Sequence, residues 1–213
     1  MAFSISQAVQ RHLLALIAFI GLGFFLSFTQ SSRAEAPVGA KAPDFSVSTA
    51  TGESKSLSDF SGKFVVLEWH NKDCPYVVKH YGSNNMQGLQ KKYTEQAVVW
   101  LTVLSSAPGK QGHLTAEQVL AEAKKGKWAS SHILLDPDGK MGRAFGARVT
   151  PHMFILNPEG HVVYNGAIDD NSSANPKVIP ESKNYVATAL DALLKGEEVK
   201  VSQTRPYGCS VKY

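Results

Sequence analysis

Phe64-Val65-Val66-Leu67-Glu68-Trp69-His70-Asn71-Lys72-Asp73-Cys74-Pro75 is the stretch on which the fold turns. Its first six residues form a near-continuous apolar run, the pattern of a central strand buried on both faces. A short polar loop follows, and then a cysteine directly before a proline, the residue best suited to the first position of a helix. The segment reads strand, loop, helix, with Cys74 at the helix N-terminus. Unpaired backbone N–H groups and the positive end of the helix dipole favour a thiolate there; Lys72 is expected to add a nearby cation, and Asp73 to oppose it. The competing reading of a free thiol is a buried, inert cysteine.

Outward from this segment the pattern alternates. Ala97 to Leu104 is a second apolar run, and Asp44 to Ser48 alternates with period two before the turn Thr51-Gly52-Glu53, which predicts an N-terminal β-hairpin. Thr115-Ala116-Glu117-Gln118 is a capping box that opens a helix carrying Val119, Leu120 and Ala123. Ile133 to Leu135 reads as a strand closed by the turn Asp136-Pro137-Asp138-Gly139, with a short helix around Met141 to Phe145. Met153 to Leu156 and His161 to Tyr164 flank Asn157-Pro158-Glu159-Gly160 as an antiparallel hairpin. A polar loop from Asp169 to Pro180 precedes a last helix with Val186, Leu190 and Leu193 on one face and Gly196 beyond its end. The order argues for an α/β domain: a central mixed β-sheet flanked by helices.

Composition bounds the rest. With 213 residues, 43% hydrophobic and 19% charged, the chain has enough apolar content for one globular core, which excludes a mainly disordered protein. The net charge is 22 − 18 = +4 with no basic cluster, so no nucleic-acid partner is expected. Two cysteines, Cys74 and Cys209, exclude a disulfide-dense scaffold and a four-cysteine zinc site but allow one bridge.

The N-terminus reads as a targeting segment: Arg11 and His12 precede the sixteen-residue apolar run Leu13 to Phe28, and no acidic residue occurs before Glu35. Cleavage is expected after Ala34, because cleavage after Ala36 would place Pro37 at the scissile bond. The alternative is an uncleaved membrane anchor, since Leu13 to Ser32 is twenty uncharged residues. Residues 1–34 are thus a signal peptide or anchor, 38–195 the folded domain, and 196–213 a C-terminal tail. Either way the domain is expected to be exported, periplasmic or secreted, with a membrane partner only if the segment stays uncleaved.

Several motifs together carry a family resemblance. The opening Val38-Gly39-Ala40-Lys41-Ala42-Pro43-Asp44-Phe45, the strand-Trp69-loop-Cys74-Pro75 unit, Leu135-Asp136-Pro137-Asp138-Gly139 and Val149-Thr150-Pro151-His152 resemble the thioredoxin-like redoxins. Within these the chain is similar to the peroxiredoxin-like branch of the alkyl hydroperoxide reductase/thiol-specific antioxidant (AhpC/TSA) family, over about residues 38–195. The resemblance implies a thioredoxin-like fold and a thiol-based oxidoreductase with Cys74 as nucleophile. It implies a cis bond at Thr150–Pro151 beside the thiol, where the Thr150 backbone would pair with a substrate chain. Trp69, Asn71, Thr150 and Pro151 are the supporting site residues.

Two departures matter. Cys74-Pro75-Tyr76-Val77 lacks the second thiol of a Cys-x-x-Cys motif, and Asn71 stands where peroxiredoxins carry the Thr or Ser that positions peroxide. Asn71 could still offer an amide donor. Cys209, near the C-terminus, is the candidate second thiol if the tail folds back over the helix bearing Cys74; the pair would then be either a resolving couple or a permanent structural disulfide. The leading expectation is thiol-disulfide exchange with a protein or small-molecule disulfide and an external thiol reductant. The alternatives are a peroxide-reducing antioxidant and a non-catalytic binding module stapled by Cys74–Cys209. No cofactor is implied. His70, His80 and His152 are the histidines considered beside Cys74, with His70 a candidate base. His80, about 120° around the helix from Cys74, is expected to face solvent, and without a second local thiolate no metal is assigned.

Overall fold

The computed structural model describes residues 36–213. The expected targeting segment, residues 1–34, lies outside them. Among the described residues no helix is long and apolar enough to cross a membrane.

The expected hairpin is β1 (Ser46–Thr49) and β2 (Ser54–Ser56), and the two apolar runs are β3 (Val65–Trp69) and β4 (Val99–Leu104). Between them lie α1 (Pro75–Gly82) and α2 (Asn85–Thr94), split where Asn84 takes a left-handed conformation at φ 60°. Then follow α3 (Ala116–Gly126), β5 (His132–Leu135), α4 (Lys140–Phe145), β6 (Val149–Thr150), β7 (His152–Leu156), β8 (Val162–Gly166), α5 (Tyr185–Leu193) and β9 (Cys209–Ser210). The main sheet has the order β2-β1-β5-β4-β3-β7-β8. Its centre, β5-β4-β3, is parallel, while β1 and β7 join it antiparallel, so the sheet is mixed as expected. The fold is thioredoxin-like.

The central strands are buried on both faces because each face has its own cover. Leu67, Trp69, Leu101, Val103 and Phe154 pack with Phe45, Met141 and Phe145 on one side. Val66, Trp100, Met153 and Ile155 pack with Met86 and Tyr93 of α2 and Val186 and Leu190 of α5 on the other. A third cluster seats α3 through Val119 on Leu104 and Ile133. The capping box is present, with the Thr115 hydroxyl accepting from the Gln118 N–H.

Two expectations are corrected. His80 is fully buried rather than solvent-facing, because Tyr207 from the tail and Asp169 cover that side of α1. The Asp169–Pro180 stretch is not a solvated loop throughout: Asp169 is 3% exposed, and Pro176–Glu181 forms a 3₁₀ helix. Lys72 pairs its ammonium with Asp73 at 2.6 Å, in line with the opposition expected of Asp73.

The tail, for which the sequence offers no periodic pattern, is fastened along its length. The Thr204 N–H donates to the Asn165 carbonyl, Val211 N–H to Arg148, and the Tyr213 hydroxyl to Ala147. The Tyr213 ring also fills the space above Gly142, where any Cβ would strike it.

Candidate active site

Strand β3 delivers the chain to the site, and a pinned loop turns it into α1. The Asp73 N–H donates to the Asn71 side-chain oxygen at 2.9 Å, and the Cys74 N–H to the Asn71 carbonyl at 3.1 Å. The Asn71 amide nitrogen donates across to Gln111, and the Gly112 N–H to the Asp73 carboxylate. Both ends of the Asn71 side chain are therefore engaged in holding the loop. Trp69 points into the core against Phe145 and Phe154, with its indole N–H donating to Ser105.

Cys74 is the N-cap of α1, followed by Pro75 as the first helical residue. Its thiol is buried and donates to the Thr150 carbonyl oxygen at 2.9 Å. The Thr150–Pro151 bond is cis. Opposite this bond runs the C-terminal tail: β6 and β9 form an antiparallel ladder with Thr150 facing Cys209 and Val149 facing Ser210. The approach is close enough that residue 208 must be glycine. Its φ is +143°, and a Cβ would fall on the Thr150 carbonyl oxygen.

The two cysteines meet at Thr150, and their pKa values are pushed apart. Burial works against a Cys74 thiolate. Its polar neighbours, the Thr150 side chain first, then Cys209 and the backbone at Val77, outweigh it and hold Cys74 below the ordinary cysteine value. Cys209 is pushed up to about 11, first by burial and then by its hydrogen bond to Cys74 and the charge there; Lys212 pulls weakly the other way. Of the two thiols, Cys74 is therefore the readier to ionise. Such a pair can attack a sulfur and then close on itself.

The histidines do not join this pair. His70 stacks against Tyr81 and Trp128, and burial lowers its pKa to about 3, so the ring is neutral. His152 has both ring nitrogens engaged, with Asn165 and with the Arg148 N–H, and burial lowers its pKa to about 4. Among the described residues no cluster of three or more His, Cys, Asp or Glu could hold a metal ion.

Two buried polar groups near the site escaped the sequence reading. Glu68 sits in β3 with no exposed surface and accepts from Tyr81, Gln90 and Trp100 at 2.7, 3.2 and 2.8 Å, while burial raises its carboxyl pKa. A carboxylate inside the run Phe64–Trp69 was the available signal. The other is Lys79, His80 and Asp169 around Tyr207; nothing in local sequence distinguishes its members from surface residues.

Comparison with known proteins adds family and fold. The model of the AhpC/TSA family matches residues 38–165, which include Cys74 and Pro151 and stop short of the tail. The chain is 28% identical to the thiol-disulfide oxidoreductase ResA of Halalkalibacterium halodurans over 152 residues, covering 71% of this chain and 80% of that protein. Among solved structures it is similar to a hypothetical protein from Sinorhizobium meliloti 1021, with TM-score 0.70, 25% identity and coverage of 83% of this chain and 94% of that one. An uncharacterized conserved protein from Geobacillus kaustophilus gives TM-score 0.71 at 25% identity, covering 84% and 93%.

Proposed function

The chain belongs to the AhpC/TSA family, and from that footing we propose that it is an exported thiol-disulfide oxidoreductase in which Cys74 attacks and Cys209 resolves. The observation that carries the reading is the placement of the two cysteines: the Thr150 carbonyl accepts from the Cys74 thiol while Thr150 faces Cys209 across the β6–β9 ladder. The resemblance to a thiol-disulfide oxidoreductase supports the same chemistry.

The Cys74 thiolate attacks one sulfur of a substrate disulfide. A Cys74–substrate disulfide forms, the substrate's own S–S bond breaks, and the departing thiolate takes up a proton. Cys74 is then neutral, which removes the smaller, electrostatic part of what raises the Cys209 pKa, burial being the larger part. The Cys209 thiolate attacks Cys74 Sγ, forms the internal disulfide and releases the second substrate thiol. In sum the substrate disulfide gains two electrons and two protons, and Cys74 and Cys209 lose them. An external dithiol returns the pair to the reduced state.

Peroxide reduction asks for donors that hold both oxygens in line at the thiolate. Asn71, which occupies the usual hydroxyl position, spends its side chain on the loop, so disulfide exchange is the favoured reaction. Export is supported by the apolar run Leu13 to Phe28.

Trapping tests the assignment. Cys209→Ser protein mixed with a model protein disulfide should accumulate a covalent adduct at Cys74, and the wild type should instead show the Cys74–Cys209 disulfide by mass spectrometry. An unreactive Cys74 in both would favour a stapled binding module.

A further inference from the structure

Cys74 has no exposed surface, and what lies beside it includes the protein's own tail. A substrate sulfur needs Cys74 uncovered, and the internal disulfide needs Cys209 held beside it, so the tail segment at Thr150 bears on both steps. Something must set the balance. Two residues before Cys209, Tyr207 ends in a buried charged cluster. Its hydroxyl donates to Asp169 Oδ1 and sits 3.3 Å from both Lys79 Nζ and His80 Nε2. Asn85 places its amide nitrogen 2.9 Å from His80 Nδ1, which leaves the ring proton on Nε2, facing Tyr207. Lys79 Nζ also binds Asp169 Oδ2 at 3.2 Å and the Asn171 carbonyl at 2.8 Å. Lys79, His80 and Asp169 are each at most 3% exposed.

The location matters as much as the bonding. Lys79 and His80 belong to α1, the helix that Cys74 caps, so the tail is tied to the same rigid element that carries the nucleophile. The Tyr207 ring packs edge-on against Tyr76 of that helix, at 5.6 Å between centroids. On either side the tail has separate fasteners, Thr204 on β8 and Val211 with Tyr213 near β6. The stretch between them is a strap, and Tyr207 is the side chain that ties down its middle.

We propose that Tyr207 is the positioning residue for Cys209: its hydroxyl, latched into Lys79, His80 and Asp169, holds the resolving thiol against Cys74 and, when released, opens the Thr150 edge to substrate. This rests on the reading of Cys209 as the resolving thiol. Latch and substrate then compete. A tight latch raises the effective concentration of Cys209 at Cys74 and shields Cys74 from the first attack.

The competition gives two effects of opposite sign, which a general loosening of the fold would not produce for ring closure and access together. Tyr207→Phe keeps the ring and its packing on Tyr76 but removes the hydroxyl. Equilibration with mixtures of glutathione and glutathione disulfide, quenched with acid and read by mass spectrometry, reports the ratio of internal disulfide to glutathione adduct at Cys74. That ratio should fall about tenfold in Tyr207→Phe, the worth of one or two hydrogen bonds. In a Cys209→Ser background, alkylation of Cys74 by iodoacetamide should instead speed up by a similar factor. If Tyr207→Phe leaves both unchanged, or slows both, the latch is refuted while the Cys74–Cys209 couple stands. If the wild type gives only glutathione adduct at every ratio, it is the resolving role of Cys209 that fails. Should Tyr207→Phe not fold, His80→Gln, which removes one partner of the Tyr207 hydroxyl and leaves the Lys79–Asp169 pair in place, is read in the same two assays with the same expected signs.

Discussion

Thr150 faces Cys209 across the β6–β9 ladder while its carbonyl oxygen accepts from the Cys74 thiol, so one residue touches both cysteines. It belongs to the part of the chain that the family model covers, and Cys209 belongs to the part that it does not. The second thiol, absent from the Cys74 helix, has been supplied from the far end of the chain to the edge where the family resemblance implies a substrate strand.

The first consequence is measurable at Cys74. Cys209 is among the neighbours that lower the Cys74 pKa, so removing its side chain should raise that pKa toward the ordinary cysteine value. In Cys209→Ala the midpoint of the alkylation rate against pH should move up, whatever happens to the plateau rate as access changes. A midpoint that stays, or moves down, would mean that Cys209 does not stabilise the thiolate.

Gly208 controls how closely the strands approach. Gly208→Ala forces a Cβ onto the Thr150 carbonyl at a backbone conformation that L-residues rarely adopt, and should cost about 1–3 kcal/mol at the ladder. Because only the tail need give way, the melting temperature should fall little while formation of the internal disulfide slows about tenfold or more. Disulfide formation at the wild-type rate would show that the tail tolerates a wider approach than this geometry allows.

Much of this was legible from residue patterns. The strand from Phe64 to Trp69, the Cys74-Pro75 helix start and the Thr115 capping box are local signals, carried by periodicity and by groups a few residues apart, and each appears where expected. The His80 environment was not legible, because helical phase relative to Cys74 says nothing about what a tail more than a hundred residues later will cover. Asp169 shows the same limit. Two acidic residues in a polar loop look solvated until Lys79 of a distant helix supplies the counter-charge. The position of Cys209 lay between: its spacing allowed a return to Cys74, but the strap that brings it there is built from hydrogen bonds with no repeating pattern.

Buried neutral histidines make the fold acid-sensitive. Burial lowers His70 to about 3 and His80 and His152 to about 4, so the unfolded chain binds protons on them before the folded one does. Their contribution is complete above about pH 6.5 and is lost as pH falls towards 4, at up to about 1.4 kcal/mol per pH unit for each ring. Glu68, whose carboxyl is raised by burial, pulls in the opposite direction above its ordinary pKa, so the net slope falls short of three protons. Urea midpoints should therefore drop between pH 7 and pH 5, and His152→Asn should flatten the slope by about one proton. A flat profile would place these rings in contact with water.

The Lys79–Asp169 pair should behave as a buried ion pair with shared hydrogen bonds. Asp169→Ala leaves a buried ammonium without its carboxylate and should cost about 3–5 kcal/mol of stability. Replacing both, as Lys79→Met with Asp169→Leu, should recover a good part of that loss, because no charge is then left uncompensated. Chemical denaturation of Lys79→Met, of Asp169→Leu and of the double variant gives the coupling directly. Simple additivity of the two single losses would mean that the pair is hydrated in solution.

The balance between disulfide and peroxide rests on Asn71. Its amide donates to Gln111 and its side-chain oxygen caps the Asp73 N–H, so the side chain is committed to the loop at both ends. Asn71→Ala should therefore cost about 1–3 kcal/mol in stability through the freed loop groups, without a specific loss of peroxide reactivity. Wild-type protein should consume hydrogen peroxide slowly and a reactive protein disulfide faster, with both reactions abolished in Cys74→Ser. In Cys209→Ser the first attack on the disulfide should persist and the adduct should stall. Stopped-flow traces with each oxidant, under excess dithiol, separate the two reactions. Fast peroxide turnover that survives Cys209→Ser and collapses on changing Asn71 would reverse the ranking, because it would require the Asn71 amide to leave the loop and face the thiolate during catalysis.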